Sequence, residues 1–270
     1  MLFESEAGDA ALVVSFPHSG TDVPGQIAAR LTDTGRSLID TDWYVDRLYR
    51  FVRELGGTTL RANVSRYVAD LNRDPAGVSL YPGQRTTSVC PVETFEGKAL
   101  YGPGLEPDAP EIAARVETYW KPYHRELRTL VDRTVARHGY AVLLDGHSIW
   151  GRLPLLFDGD LPDINLGTNS GAACAGGLAN AAEAALRDSP YSHVTNGRFK
   201  GGYITRHYGD PVRGVHALQI ELNQSTYLAD GSRTAWDDGK AAKLSTTLAS
   251  ICAALLAWRP AESGLRPATP

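Results

Sequence analysis

Cysteine is scarce: Cys90, Cys174 and Cys252 are the only three in 270 residues, they stand far apart, and they form no CxxC pair. That argues against a disulfide framework and against a thiolate zinc site. Long apolar runs are missing as well. No uninterrupted apolar stretch of about 18 residues occurs, so no transmembrane helix is expected. The opening MLFESEAGDA carries acids where a secretory signal has a basic start and an apolar run. Positive charge is not in excess either: 27 Lys and Arg against 31 Asp and Glu leave a formal charge of −4. This balance suggests neither nucleic acid nor an anionic membrane as partner. A cytoplasmic protein acting on a small molecule is the expectation. Several catalytic signatures are absent too. There is no GxSxG elbow, no GxxxxGK[ST], no complete GxGxxG before a helix and no HExxH.

The chain is 43% apolar and 21% charged, ordinary for a globular protein with a sizeable core. Its length suits a single α/β domain spanning 1–270, with a core over about 11–258 and a flexible tail at 259–270. Residues 11–16 (ALVVSF) read as a short strand ending at Pro17-His18-Ser19-Gly20. Apolar residues at three- and four-residue spacing predict a helix over 37–55. Residues 58–71 are β-like and end at Asn72-Arg73-Asp74-Pro75. A Gly- and Pro-rich stretch follows to Pro110, long for a plain connection. Residues 111–138 predict a long amphipathic helix with a break at Pro122. A buried strand at 140–144 leads into Asp145-Gly146-His147-Ser148. A polar loop is expected at 161–177, a helix at 178–188, a short strand at 194–196, a strand at 215–222 and a last helix at 235–258. Alternating strands and helices imply a mixed, mostly parallel twisted sheet flanked by helices, with ligands beyond the carboxyl ends of the strands.

Reactive side chains recur at those ends: His18, Asn72-Arg73, Asp145 with His147, and Glu221. A lone histidine at a strand end is more often a structural hydrogen-bonding group. Two of them with acids nearby point to a shared metal, since catalytic zinc takes three His or carboxylate ligands and leaves a position for water. His18 and His147 are the candidate imidazoles, and Asp40 or Asp42 the carboxylate. The ordinary role of those two acids would be helix capping. Asp145, two residues before His147, could orient an imidazole. Glu221 stands between Ile220 and Leu222 and becomes a base candidate if its strand face lines the pocket. Arg73 could take a substrate carboxylate in a forked geometry, or could pair with Asp74 at the surface. Arg206 follows a glycine pair and offers a second cation.

Eight short motifs occur in order: PHSG at 17–20, DTDW at 40–43, Ser65-Arg66 with DLNR at 70–73, PYH at 122–124, DGHS at 145–148, LPDINLG at 161–167, NGRFKGG at 196–202 and IEL at 220–222. Together they resemble the N-formylglutamate amidohydrolase family from about residue 11 to 258. The resemblance implies a fold related to the zinc carboxypeptidases and hydrolysis of N-formyl-L-glutamate to glutamate and formate, a step of histidine degradation. It also implies one zinc-like ion on His18, His147 and Asp42, the last favoured over Asp40. Glu221 matches the catalytic glutamate, and Asn72 with Arg73 matches a carboxylate-binding Asn-Arg pair. The chain departs from the carboxypeptidase pattern where Thr21, three residues after His18, stands in place of a ligating Glu. A zinc hydrolase of another N-acyl amino acid or short peptide, and a non-catalytic binding module on the same scaffold, are the competing readings.

Overall fold

The computed structural model describes residues 1–79, 83 and 86–260. Its centre is built from three strands buried at every position: β2 (Leu12–Phe16), β4 (Ala141–Ile149) and β7 (Val215–Asn223). With β1 (Phe3–Glu6), β3 (Thr58–Ala62), β5 (Ile164–Gly167) and β6 (His193–Thr195) they form one seven-stranded sheet in the order β1-β3-β2-β4-β7-β5-β6. Strands β3, β2, β4 and β7 run parallel, β1 and β5 are antiparallel to β3 and β7, and β6 is parallel to β5. This is the mixed, mostly parallel sheet that the sequence implies.

Parallel strands need long crossovers, and these lay helices over both faces. The longer helices among the described residues are α1 (Ala109–Arg115), α2 (Lys121–His138), α3 (Gly176–Arg187), α4 (Tyr203–Tyr208) and α5 (Asp238–Ala257). Strand alternation divides the core between them. Leu12, Val14, Val142, Leu144, Leu218 and Ile220 pack with Leu178, Leu186, Leu244, Leu248 and Ile251 of α3 and α5. Val13, Leu143 and Ala217 pack the other way, with Leu127 and Val131 of α2 and Ile204 of α4. Each buried Leu, Ile or Val among them stabilises the fold by about 1.5–3 kcal/mol. By length and composition α5 could cross a membrane, but here it lays an apolar stripe on the core.

The sheet departs from expectation in informative places. Residues 37–55 are not one helix. Only a single helical turn, Val45–Leu48, and a 3-10 turn, Arg50–Val52, form there. Leu38 (φ 50°) and Tyr44 (φ 60°) adopt the left-handed conformation, which ends regular helix on either side of Asp40-Thr41-Asp42. The β-like stretch at 58–71 is a strand only to Ala62, and the expected loop at 161–177 contains β5. Strand β4 runs on to Ile149, so Asp145 and His147 lie inside it and not beyond it, while Glu221 lies inside β7, as the strand expected at 215–222 has it. The break at Pro122 appears as a π-helical segment, Val116–Trp120, just before the proline, which lacks the N–H a regular turn would use. From residue 261 on, the expected flexible tail lies outside the described residues, as do 80–82, 84 and 85 of the Gly- and Pro-rich stretch.

Candidate metal centre and active site

Strand register brings the chemistry together. In the parallel β4 and β7 pair, His147 lies opposite Glu221 and Asp145 opposite Gln219. All four have the parity of Leu143 and Ala217, so they face the α2 side of the sheet, past the end of its apolar packing. His18 arrives from the turn after β2. The loop at 38–44 is fastened to it by the Asp42 N–H, which donates to the His18 carbonyl at 3.1 Å.

His18, Asp42 and His147 each offer one donor atom, and these atoms lie within 4.8 Å of one another. The residues are 3%, 1% and 2% exposed, so little water competes for the donors. His18 Nε2 is 2.7 Å from Asp70 Oδ1, and His147 Nε2 is 2.8 Å from Asp145 Oδ2. A carboxylate can only accept, so each Nε2 carries the hydrogen and each Nδ1 is turned towards Asp42. Asp42 Oδ2 is 3.0 Å from His147 Nδ1 and 3.6 Å from His18 Nδ1. The Ser148 N–H donates to the same oxygen at 3.2 Å, and Arg66 reaches the other at 3.4 Å. Two oriented imidazoles and a buried carboxylate form a donor set that fits a divalent cation.

The electrostatics agree with that fit. Burial by itself would raise the Asp42 pKa, but His18 and His147 hold it below the usual carboxylate range. Burial would lower His147, yet Asp145 and Asp42 drive it well above the ordinary histidine value. Asp70 is likewise held well below the usual carboxylate range, burial being outweighed by Arg73, His18 and Arg66. Arg66 donates to Asp70 Oδ2 at 2.7 Å and lies over the Phe95 ring at 4.8 Å, so one guanidinium braces both acids.

Asp40 is placed differently. Its Oδ2 accepts from the Tyr67 hydroxyl at 2.8 Å and the Phe95 N–H at 2.9 Å, and burial raises its pKa. It pins the Phe95 loop and is not a member of the cluster of three.

A cleft opens over this cluster. His18, His147 and Glu221 line it, as do Arg66, Arg73 and Arg198, with Phe95, Ile149, Leu156 and Phe199 as apolar wall. Burial pushes the Glu221 carboxyl up to about 8 despite the opposing pull of His147. Gln219 Nε2 donates to Glu221 Oε2 at 3.0 Å.

Asn72 lines the cleft, but its side chain is already committed. Nδ2 donates to Asp145 Oδ2 at 3.1 Å, and Oδ1 accepts from the Ile204 N–H at 2.8 Å. Arg73 donates to the carbonyls of Thr87 and Asn72, both at 3.1 Å. Arg206 lies on α4 with its Nε donating to the Gly201 carbonyl at 2.8 Å, and it is not among the residues lining the cleft. His124 is buried in α2 with Nε2 2.8 Å from the Leu71 carbonyl and its pKa lowered by burial to about 3, while His207 is exposed and stacks on Tyr203.

Sequence reasoning assigned no part to Arg66, Asp70, Arg198 or Gln219. Arg66 and Asp70 are four residues apart, a spacing that signals a pair only on a helix, and here the segment is a loop.

Residues 10–228 match the sequence profile described as N-formylglutamate amidohydrolase. The chain is 44% identical over 252 residues to the N-formylglutamate deformylase of Pseudomonas putida, covering 93% of this chain and 94% of that one. It is 45% identical, with the same coverage, to the N-formylglutamate deformylase of Pseudomonas aeruginosa. Among solved structures, N-formylglutamate amidohydrolase from Ralstonia eutropha JMP134 superposes with a TM-score of 0.78 at 27% identity, covering 94% of this chain and 97% of that one. The Agrobacterium tumefaciens protein Atu2144 shares the fold, with a TM-score of 0.71 at 19% identity over 95% of each chain. With the profile covering most of its length and two such relatives matching nearly end to end, the chain belongs to the N-formylglutamate amidohydrolase family.

Proposed function

We propose that this chain is a cytoplasmic, zinc-dependent amidohydrolase that converts N-formyl-L-glutamate to L-glutamate and formate. The observation that carries the reading is the Glu221 carboxyl beside the cluster of His18, Asp42 and His147 in one buried cleft. The names of the relatives support the substrate. His18, Asp42 and His147 would hold a divalent ion, which would supply Lewis acidity for amide hydrolysis.

The chain's own groups do the rest. Glu221 takes a proton from the attacking water as the water oxygen bonds to the formyl carbon. It returns that proton to the amine nitrogen as the C–N bond breaks. The water oxygen leaves in formate and the nitrogen leaves as the amine of glutamate. A pKa raised by burial suits a group that must both take and release a proton, and a nearby cation tempers that rise. Asp70 and Asp145 hold the two imidazoles in the ligating tautomer. A glutamate dianion asks for two cationic donors. Arg73 takes one carboxylate in a forked geometry, and Arg198, in the cleft where Arg206 is not, takes the other.

Steady-state assays on N-formylglutamate, N-formylaspartate, N-acetylglutamate, N-formylleucine and a short peptide, with and without a chelator, test the reading. N-formylglutamate should show the highest kcat/KM, and chelation should abolish turnover. A better substrate elsewhere in the panel would reassign the specificity. Chelator-resistant turnover would remove the metal, and no turnover of any member would leave a binding module.

A further inference from the structure

We propose that Gln219 is the positioning residue of the active site. It holds one oxygen of Glu221, leaves the other for the proton, and ties the base to the loop that carries Arg198. This rests on the reading of Glu221 as the proton shuttle.

The orientation of the Gln219 amide is fixed by its partners. Its Oε1 accepts from the Gly202 N–H at 2.7 Å, so its NH2 end must turn the other way, where Nε2 meets Glu221 Oε2 at 3.0 Å. A flipped amide would set NH2 against the Gly202 N–H, a donor against a donor, which could not be a hydrogen bond.

The approach of Gly202 is itself forced. A Cβ on that residue would lie 2.3 Å from Asn72 Nδ2, so only glycine lets the backbone come this close. Asn72 in turn bonds Asp145, which orients His147. One chain of contacts therefore runs from the loop with Arg198 through Gly202 and Gln219 to Glu221.

The consequence for Glu221 is specific. Oε2 is committed to Gln219, and the other oxygen has no hydrogen bond among the described residues, on a side chain that lines the cleft. A free glutamate has several rotamers to sample. Fixing one oxygen selects the rotamer that aims the other at the reacting atoms, and an error of about 1 Å in such aim costs on the order of 10²-fold in rate.

The test compares Gln219→Met, which keeps volume and removes both hydrogen bonds, in two backgrounds: the metal-loaded wild-type enzyme and its Glu221→Gln variant. On the wild type, kcat should fall by about tenfold or more with KM within about twofold. On Glu221→Gln, whose residual turnover is read at high enzyme concentration, the same change should add less than about threefold, because the group it positions is gone. Equal losses in both backgrounds, or a raised KM with kcat unchanged, would show a purely structural role and overturn the proposal. Metal stoichiometry and Tm accompany each variant. If Gln219→Met fails to fold, Gln219→Glu carries the test: it keeps the acceptor for Gly202 but opposes a carboxylate to Glu221. Wild-type turnover there overturns the proposal, and a loss in kcat alone supports it. Slow Glu221→Gln with normal Gln219→Met defeats this inference only, whereas normal turnover of Glu221→Gln defeats the shuttle reading beneath it.

Discussion

A single carboxyl group decides whether the cleft is catalytic. Glu221→Gln keeps size and most hydrogen bonding but cannot take a proton. General-base catalysis contributes about 10²–10⁴-fold, so kcat should fall by that order while metal content and Tm stay near wild type. Near-normal turnover in a fully metallated variant ends the shuttle role. The fallback bases are poor, since His124 is spent on the Leu71 carbonyl and His207 faces solvent. His18→Ala, His147→Ala and Asp42→Ala should each empty the metal site, as read by elemental analysis. Asp40→Ala should keep the metal and lose stability instead, because its carboxylate pins the Phe95 loop. Metal loss in Asp40→Ala alone would reverse that assignment. Arg73→Ala and Arg198→Ala should each weaken kcat/KM by about 2–4 kcal/mol with metal content unchanged, if each leaves a buried substrate carboxylate unpaired. Arg206→Ala should not, and an equal loss there would restore it as the second cation. The cluster of His18, Asp42 and His147 was legible because histidine and acid near strand ends are chemically conspicuous. Their braces were not. Arg66 reaches Asp42, Asp70 reaches His18 and Gln219 reaches Gly202 across segments distant in sequence, and no local spacing announces that.

Among the elements, the strands were easier to read than the segments that position the acids. β2, β4 and β7 are short apolar runs, and their buried pattern follows from the sequence. The end of β4 was misjudged because Asp145 and His147 look like loop residues, whereas they extend the strand into the cleft, and Glu221 was read inside its strand. The helix expected over 37–55 failed for a related reason. The apolar spacing is helical, but Leu38 and Tyr44 in left-handed conformation turn the chain so that Asp42 meets both imidazoles. Such non-glycine positions cost of order 1–3 kcal/mol each, and strain of this kind gathers at functional sites. The junction of α4 with the site gives a sharper test. Gly202 has φ −82° and ψ −162°, which alanine tolerates, so Gly202→Ala acts through space alone. Its methyl would displace the Asn72 amide from Asp145 and the Ile204 N–H. Losing such support for a ligating histidine typically costs about 10–100-fold in metal affinity. Competition with a chromogenic chelator measures it. Wild-type affinity together with wild-type Tm would mean that Asn72 is not a brace.

Taken whole, the metal-free molecule buries an arrangement of charges whose protons differ between folded and unfolded states. Glu221 is raised to about 8 from 4.5, so between those values the folded chain keeps a proton that the unfolded chain has released. Its contribution to stability is present at the acid end and is lost as pH rises through that window. His147 is raised too, so its contribution is complete below the ordinary histidine value and is lost as pH climbs through the folded one. Asp42 and Asp70 are lowered and act in the opposite sense, present above about 3.8 and lost as pH falls further. The metal-stripped protein should therefore melt higher at pH 5.5 than at pH 8, and Glu221→Gln should shrink the difference. A cation changes the balance. Bound at the cluster of His18, Asp42 and His147, it would compete with protons for the imidazoles and lower the Glu221 pKa, so its binding would strengthen as pH rises. At free metal a hundredfold above Kd it adds about 2.7 kcal/mol. Scanning calorimetry of stripped and zinc-loaded protein at both pH values reads all of this together. The loaded form should lose most of the fall in Tm seen in the stripped form. A stripped protein whose Tm is flat or rises from pH 5.5 to 8 would show that Glu221 and His147 do not hold their protons in the folded state, and the electrostatic account of the cleft would have to be rebuilt around ionised Glu221.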